Sequence, residues 1–219
     1  MNSKSVAVLT SKGSWFLPYA RQFVATLKNK RLRPGLFYDH RKIDENYKIV
    51  FILNYTRLIG AGYLRKHKHN LVVHESDLPK GKGWAPLFWQ VLEGKNVVPI
   101  VLFDANEKID DGDLYLKDYI KMKGHELNSE IREKQARKTL DLCLRFLTEY
   151  KRLRPEKQKG KSTFYKRRKP VDSALDMDKT LKEQFNLLRI VNNKRFPAFF
   201  RHKGYKYTLK IRKEKCSGK

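Results

Sequence analysis

The stretch Lys48–Leu53, KIVFIL, decides the fold of this chain. Its apolar residues follow one another without polar alternation, so it reads as a central strand covered on both faces. Upstream, Ser5–Thr10, SVAVLT, is a second β-branched apolar run, closed by Ser, Lys and Gly. It reads as a buried first strand turning into a loop. Pro18 suits the opening turn of a helix whose apolar face is Ala20, Phe23, Val24 and Leu27. The turn at Arg33, Pro34 and Gly35 leads to GLFYDH as another strand. Downstream, a helix is expected from about Ile59 to Lys68, then a buried strand at Leu71–His74, LVVH. Pro86–Leu92 predicts a short helix carrying Trp89, Val98–Phe103 a strand, and Asp113–Tyr119 an edge strand. Leu127, Ile131, Leu140, Leu144 and Leu147 form one stripe of a long helix over His125–Glu149.

Strands alternating with helices over this length predict an α/β fold, a Rossmann-like, mostly parallel sheet with helices on both faces. Ligands in such sheets sit beyond the carboxyl ends of the strands, here just after KIVFIL and LVVH. A helix over Met177–Val191 and a hairpin of FPAFFRHKG and YKYTLKI around Gly204 predict a small C-terminal helix-plus-hairpin appendage. The expected organisation is a main domain over 1–150, a basic linker or loop over 151–170 and a small subdomain over 171–219.

Forty-nine Lys and Arg against 23 Asp and Glu give a formal charge of +26. That balance attracts phosphates, nucleotides or nucleic acid and names no reaction. Ten of the twenty positions from Tyr150 to Lys169 are basic, a run that reads first as a solvated linker. No segment has the roughly 20 continuous apolar residues that cross a bilayer, and the start, MNSKSVAVLTSKGSW, holds an apolar run too short for a signal peptide. A cytoplasmic location and no membrane partner are therefore expected. Cys143 and Cys216 show neither a CxxC spacing nor a disulfide framework, and no metal is expected.

His74–Gly83, HESDLPKGKG, puts a histidine at a strand end and a serine, a proline and two glycines in the loop after it. Further on, Asp110, Asp111 and Asp113 surround Gly112 in a turn before a strand. Singly, a strand-end histidine and an acidic turn are ordinary structural features. Together, and in order, these stretches resemble the formyltetrahydrofolate-dependent formyltransferases. That family has a pterin-binding segment after a strand, a histidine loop H-x-S-x-L-P with a later glycine, and an Asp-x-Gly turn. Here those are ILNYTRLI at Ile52–Ile59, HESDLP at His74–Pro79 with Gly83, and Asp110 to Gly112, the histidine and aspartate 36 positions apart. The resemblance covers roughly residues 1–150 as a catalytic domain.

The resemblance implies 10-formyltetrahydrofolate as formyl donor, held by the backbone of Arg57, Leu58 and Ile59, with Ser76 and Asp113 also at the cofactor. His74 would serve as donor to the developing oxyanion and as proton carrier, with Asp110 fixing its ring. The family asparagine two positions before the histidine is Val72 here. Asn54 or Asn70 is the amide left to replace it, with Asn54 preferred. Trp84 and Trp89 either stack on a base or sugar or belong to the core. Lys80 and Lys82 either meet the folate tail or a phosphate, or are solvated. By resemblance to sugar N-formyltransferases, Tyr165, Arg167, Arg168, Lys169 and Pro170 approach a nucleotide diphosphate. The expected acceptor is the amine of a nucleotide-linked amino sugar, the pseudaminic-acid pathway being the nearest match. A tRNA acceptor is disfavoured by the short stretch after Pro170, and nucleic acid is not an expected partner. A homodimer, another amine acceptor such as a ribonucleotide, and a non-catalytic basic RNA-binding protein stay open.

Overall fold

The computed structural model describes residues 5–216. A six-stranded sheet runs in the order β2-β1-β3-β4-β6-β7. Its strands are β1 (Ser5–Leu9), β2 (Arg33–Phe37), β3 (Ile49–Ile52), β4 (His69–His74), β6 (Val97–Asp104) and β7 (Leu114–Lys121). Between β4 and β6 lies the two-residue strand β5 (Lys82–Gly83). The first four sheet strands pair in parallel, and β6 and β7 are antiparallel additions at one edge. Every residue of β3 is buried, as a central strand requires.

Alternation along the strands sends successive side chains to opposite layers. One layer holds α1 (Leu17–Asn29), α3 (Pro86–Leu92) and α4 (Asn128–Glu149), packed on Val6, Val8, Phe51 and Leu71. On the other, Ala7, Leu9, Val50 and Ile52 meet Tyr55, Ile59 and Tyr63, the last from the single turn α2 (Ala61–Leu64). The helix expected over Ile59–Lys68 is much shorter: after Leu64 the chain leaves it in tight turns, the Lys66 N–H donating to the Tyr63 carbonyl and the His67 N–H to the Leu64 carbonyl.

Residues 151–170 fold back onto the histidine loop. Within them β8 (Phe164–Tyr165) pairs in parallel with β5. Gly83 makes this approach possible: a Cβ there would lie 2.5 Å from the Tyr165 carbonyl oxygen. The helix expected over Met177–Val191 is confined to α5 (Phe185–Ile190). The preceding residues are held in turns instead, where Gln184 Oε1 accepts the Asp176 N–H and its Nε2 donates to the Asp176 and Lys179 carbonyls. The appendage ends in the hairpin of β9 (Ala198–His202) and β10 (Tyr205–Leu209). Among the described residues, no helix is long and apolar enough to cross a membrane.

Candidate active site

A cavity of about 570 Å3 opens at the carboxyl ends of β3 and β4, where a sheet of this kind places its ligands. His74, the last residue of β4, is buried beneath it. Its Nε2 lies 2.9 Å from the Gly81 carbonyl oxygen. A carbonyl only accepts, so Nε2 carries the proton, and Nδ1 is the nitrogen left to meet a ligand. Asp110 faces that nitrogen, its Oδ1 3.8 Å away. Its other oxygen accepts the Gly83 N–H at 2.8 Å, which ties the acidic turn to the histidine loop.

Gly112 is what lets the acidic turn close. A Cβ there would sit 1.5 Å from the Asp104 carbonyl oxygen, so no other residue fits. Asp110 and Asn54 both adopt left-handed backbones, with φ of 51° and 52°. Asparagine and aspartate tolerate this better than most residues, and such strain gathers at functional sites. It also explains why position 54 suits glycine or asparagine.

Asn54 lines the cavity. Its Oδ1 accepts the Ser14 hydroxyl at 2.6 Å, which leaves its NH2 group as the donor. Asn70, the alternative, does not line the cavity, and its Nδ2 donates to the Leu64 carbonyl. The next residues, Arg57, Leu58 and Ile59, continue the cavity wall. Leu58 is 83% exposed there, an apolar surface that a flat ring would cover, and Arg57 is tethered by Asp39 at 3.3 Å.

The other expected residues divide by position. Trp84, 45% exposed, and Arg167 both line the cavity, with the guanidinium 4.8 Å from the indole centroid. Ser76, Lys80, Lys82, Asp113, Tyr165 and Arg168 do not line it. Ser76 is buried and its hydroxyl has no hydrogen-bond partner among the described residues. Lys82 is turned inward onto Asp111, and that contact, the largest influence, lowers the Asp111 pKa. Lys80 is exposed on the loop, and Asp113 is exposed with its carbonyl bonded to the Asp104 N–H. Tyr165 donates its hydroxyl to Glu93 and stacks on Trp89; burial first, then Glu93, raises its pKa. Arg168 bonds to the Asp172 carbonyl and Ser173, and burial lowers its pKa. Among the described residues no group of three or more His, Cys, Asp or Glu is arranged to hold a metal.

Sequence reasoning missed two basic residues of the cavity wall, Arg132 from α4 and Arg195 from the loop after α5. An arginine on an amphipathic helix or in a polar loop is ordinarily a solvated charge. No signal in the chain marked them.

A mostly parallel sheet with a histidine and an aspartate meeting beyond β4 has the layout of an α/β enzyme site. Residues 4–146 match the formyl transferase family, and the chain belongs to it. A methionyl-tRNA formyltransferase from Thermodesulfovibrio yellowstonii is 22% identical over 147 residues, 66% of this chain and 48% of that protein. This chain spans about half the length of the curated relatives it matches. Among solved structures, a methionyl-tRNA formyltransferase from Clostridium thermocellum superposes with a TM-score of 0.81 at 22% identity, over 97% of this chain and 94% of that one. A sugar N-formyltransferase from Shewanella gives 0.72 at 16% identity, over 99% and 100%. HypX from Aquifex aeolicus, solved with tetrahydrofolic acid, gives 0.79 at 15%, over 95% and 37%. At these identities the structures establish the shared fold.

Proposed function

We propose that this chain is an N-formyltransferase that moves the formyl group of 10-formyltetrahydrofolate onto the amine of a nucleotide-linked amino sugar. The observation that carries this reading is the meeting of His74 and Asp110 at one cavity with the Asn54–Ile59 segment. The family match supports the chemistry. The donor's part is to present an activated formyl carbon. As the amine attacks, the formyl oxygen becomes anionic, and a new C–N bond replaces the bond to the folate nitrogen. Asn54 offers its NH2 to that oxygen. His74 Nδ1 takes the proton that the amine sheds, then returns it to the departing folate nitrogen. Asp110 lies beside Nδ1 with the charge opposite to the one the ring acquires. Trp84 with Arg167 over its face offers a stacking surface and a cation, the pairing a nucleotide needs.

An aminoacyl-tRNA is the competing acceptor, favoured by the charge of +26 and by the relatives' own names. The chain is incubated with 10-formyltetrahydrofolate and, in parallel, UDP- and dTDP-linked amino sugars and methionyl-tRNA. The expected result is a gain of one formyl mass on an amino sugar, lost in His74→Ala. Asp110→Asn keeps an oxygen for the Gly83 N–H and removes only the charge, so its loss should be smaller. Formylation of methionyl-tRNA alone would reassign the acceptor. Transfer surviving His74→Ala would end the mechanism.

A further inference from the structure

The chemistry above leaves two arginines of the cavity wall without work. The half-buried Arg132 holds its guanidinium carbon 4.3 Å from the Trp15 ring centroid and 4.2 Å from that of Phe88. Its Nη1 donates to Gln135 Oε1 at 2.8 Å, and Gln135 donates onward to Glu75 at 2.6 Å. The planar group is thus fixed in orientation. Burial pushes its pKa down to about 10, against the pull of Glu75, so it stays cationic at neutral pH. Arg195 is exposed and donates Nη2 to the Gly13 carbonyl at 3.4 Å. Gly13 and Trp15 belong to the one loop between β1 and α1, so the two guanidinium groups flank that loop. Among the described residues neither has a carboxylate oxygen within 4.0 Å.

A guanidinium held between two rings, with donors to spare and no carboxylate, is complementary to a phosphate. Its place in the layers says which ligand carries that phosphate. Trp15, Phe16 and Phe88 pack in the layer of α1 and α4, whereas Tyr55 and Ile59 of the pterin segment pack in the opposite one. Folate and an anion at Arg132 therefore approach the end of β4 from different sides. We infer that Arg132 and Arg195 form the acceptor's anion site and clamp the diphosphate of a nucleoside-diphosphate sugar. This rests on the reading of the cavity as the transfer site.

The test titrates UDP, dTDP, inorganic pyrophosphate and tetrahydrofolate calorimetrically into the full chain and into Arg132→Gln and Arg195→Gln. Diphosphate affinity is expected to fall about 10- to 100-fold in each variant, the loss of one charge-assisted contact, while tetrahydrofolate affinity holds. Arg132→Gln disturbs a packed ring sandwich, so the exposed Arg195→Gln, with an unchanged melting curve, keeps the test decisive. Diphosphate affinity unchanged in both variants overturns the site, as does a full chain that binds none of the three anions. A loss of tetrahydrofolate affinity instead would assign the arginines to the folate tail and overturn it equally. Arginine-dependent diphosphate binding by a chain that formylates no amino sugar would sustain the anion site and sink the acceptor reading alone.

Discussion

Strand β4 carries two histidines, five residues apart, and each faces a carboxylate. They lie at opposite ends of the strand, and its alternation turns them to opposite faces. His69 pairs with Asp104 at 2.8 Å, and Asp104 also accepts the Asn70 N–H at 2.7 Å. Around that ring close Tyr115, Phe146 and Tyr150, with centroids 5.4–5.8 Å away. His74 and Asp110 stand a full ångström further apart, at 3.8 Å, yet both line the cavity, which neither His69 nor Asp104 does. The tighter pair is the one outside the cavity. A short His–carboxylate distance records packing, and what makes such a pair chemically useful is a nitrogen with room for a ligand.

The largest effect expected from this contrast falls on His74. His74→Ala should lower kcat by about 10²–10⁴, the usual contribution of a positioned proton carrier, in protein that is still folded at the assay temperature. Next comes Asn54→Ala, which removes the amide offered to the oxyanion and should cost about 10²–10³ in kcat, measured in single turnovers at saturating donor. The pair outside the cavity should behave in the reverse sense. His69→Leu leaves Asp104 Oδ2 without its hydrogen-bond partner on the ring and should cost about 1–3 kcal/mol of stability, visible as a drop of several degrees in Tm, with kcat unchanged. A His69 variant that folds normally and loses transfer would break the comparison outright.

The contrast also explains what the sequence could disclose. KIVFIL and SVAVLT were legible as strands because burial on both faces leaves no other composition. His74 and Asp110 were legible as a pair only through the spacing of a known pattern; nothing local separates HESDLP from a structural loop. His69, with the closer carboxylate, drew no notice. The direction a charged side chain takes depends on partners far along the chain. Lys82, a candidate for the folate tail or a phosphate and otherwise a solvated residue, turns inward onto Asp111, and Arg168 is held by Asp172 and Ser173. Arg132 faces the cavity because Trp15 and Phe88, from two other elements, hold it there. Even the stripe of α4 shifted: Leu142, Cys143 and Phe146 are its buried centre, and Leu140, Leu144 and Leu147 flank it. An exact stripe needs the crossing angle of the helix on its sheet, which periodicity alone does not contain.

The smallest expected effect concerns Val72, where the formyltransferase pattern has asparagine. Val72 lines the cavity and shares a strand face with His74, two residues on. An amide introduced there would point toward the same developing oxyanion that Asn54 is proposed to meet from the end of β3. In the intact chain Val72→Asn should change kcat little, since one donor is already in place. In the Asn54→Ala background the same substitution should recover about tenfold of the lost rate, part of what one oxyanion donor contributes. Recovery without change in the KM for the formyl donor would show that the two amides serve one oxygen. If instead Val72→Asn restores nothing after Asn54→Ala, then Asn54 acts by shaping its left-handed turn, and His74 Nδ1 can donate to the oxyanion only after it has taken the amine's proton.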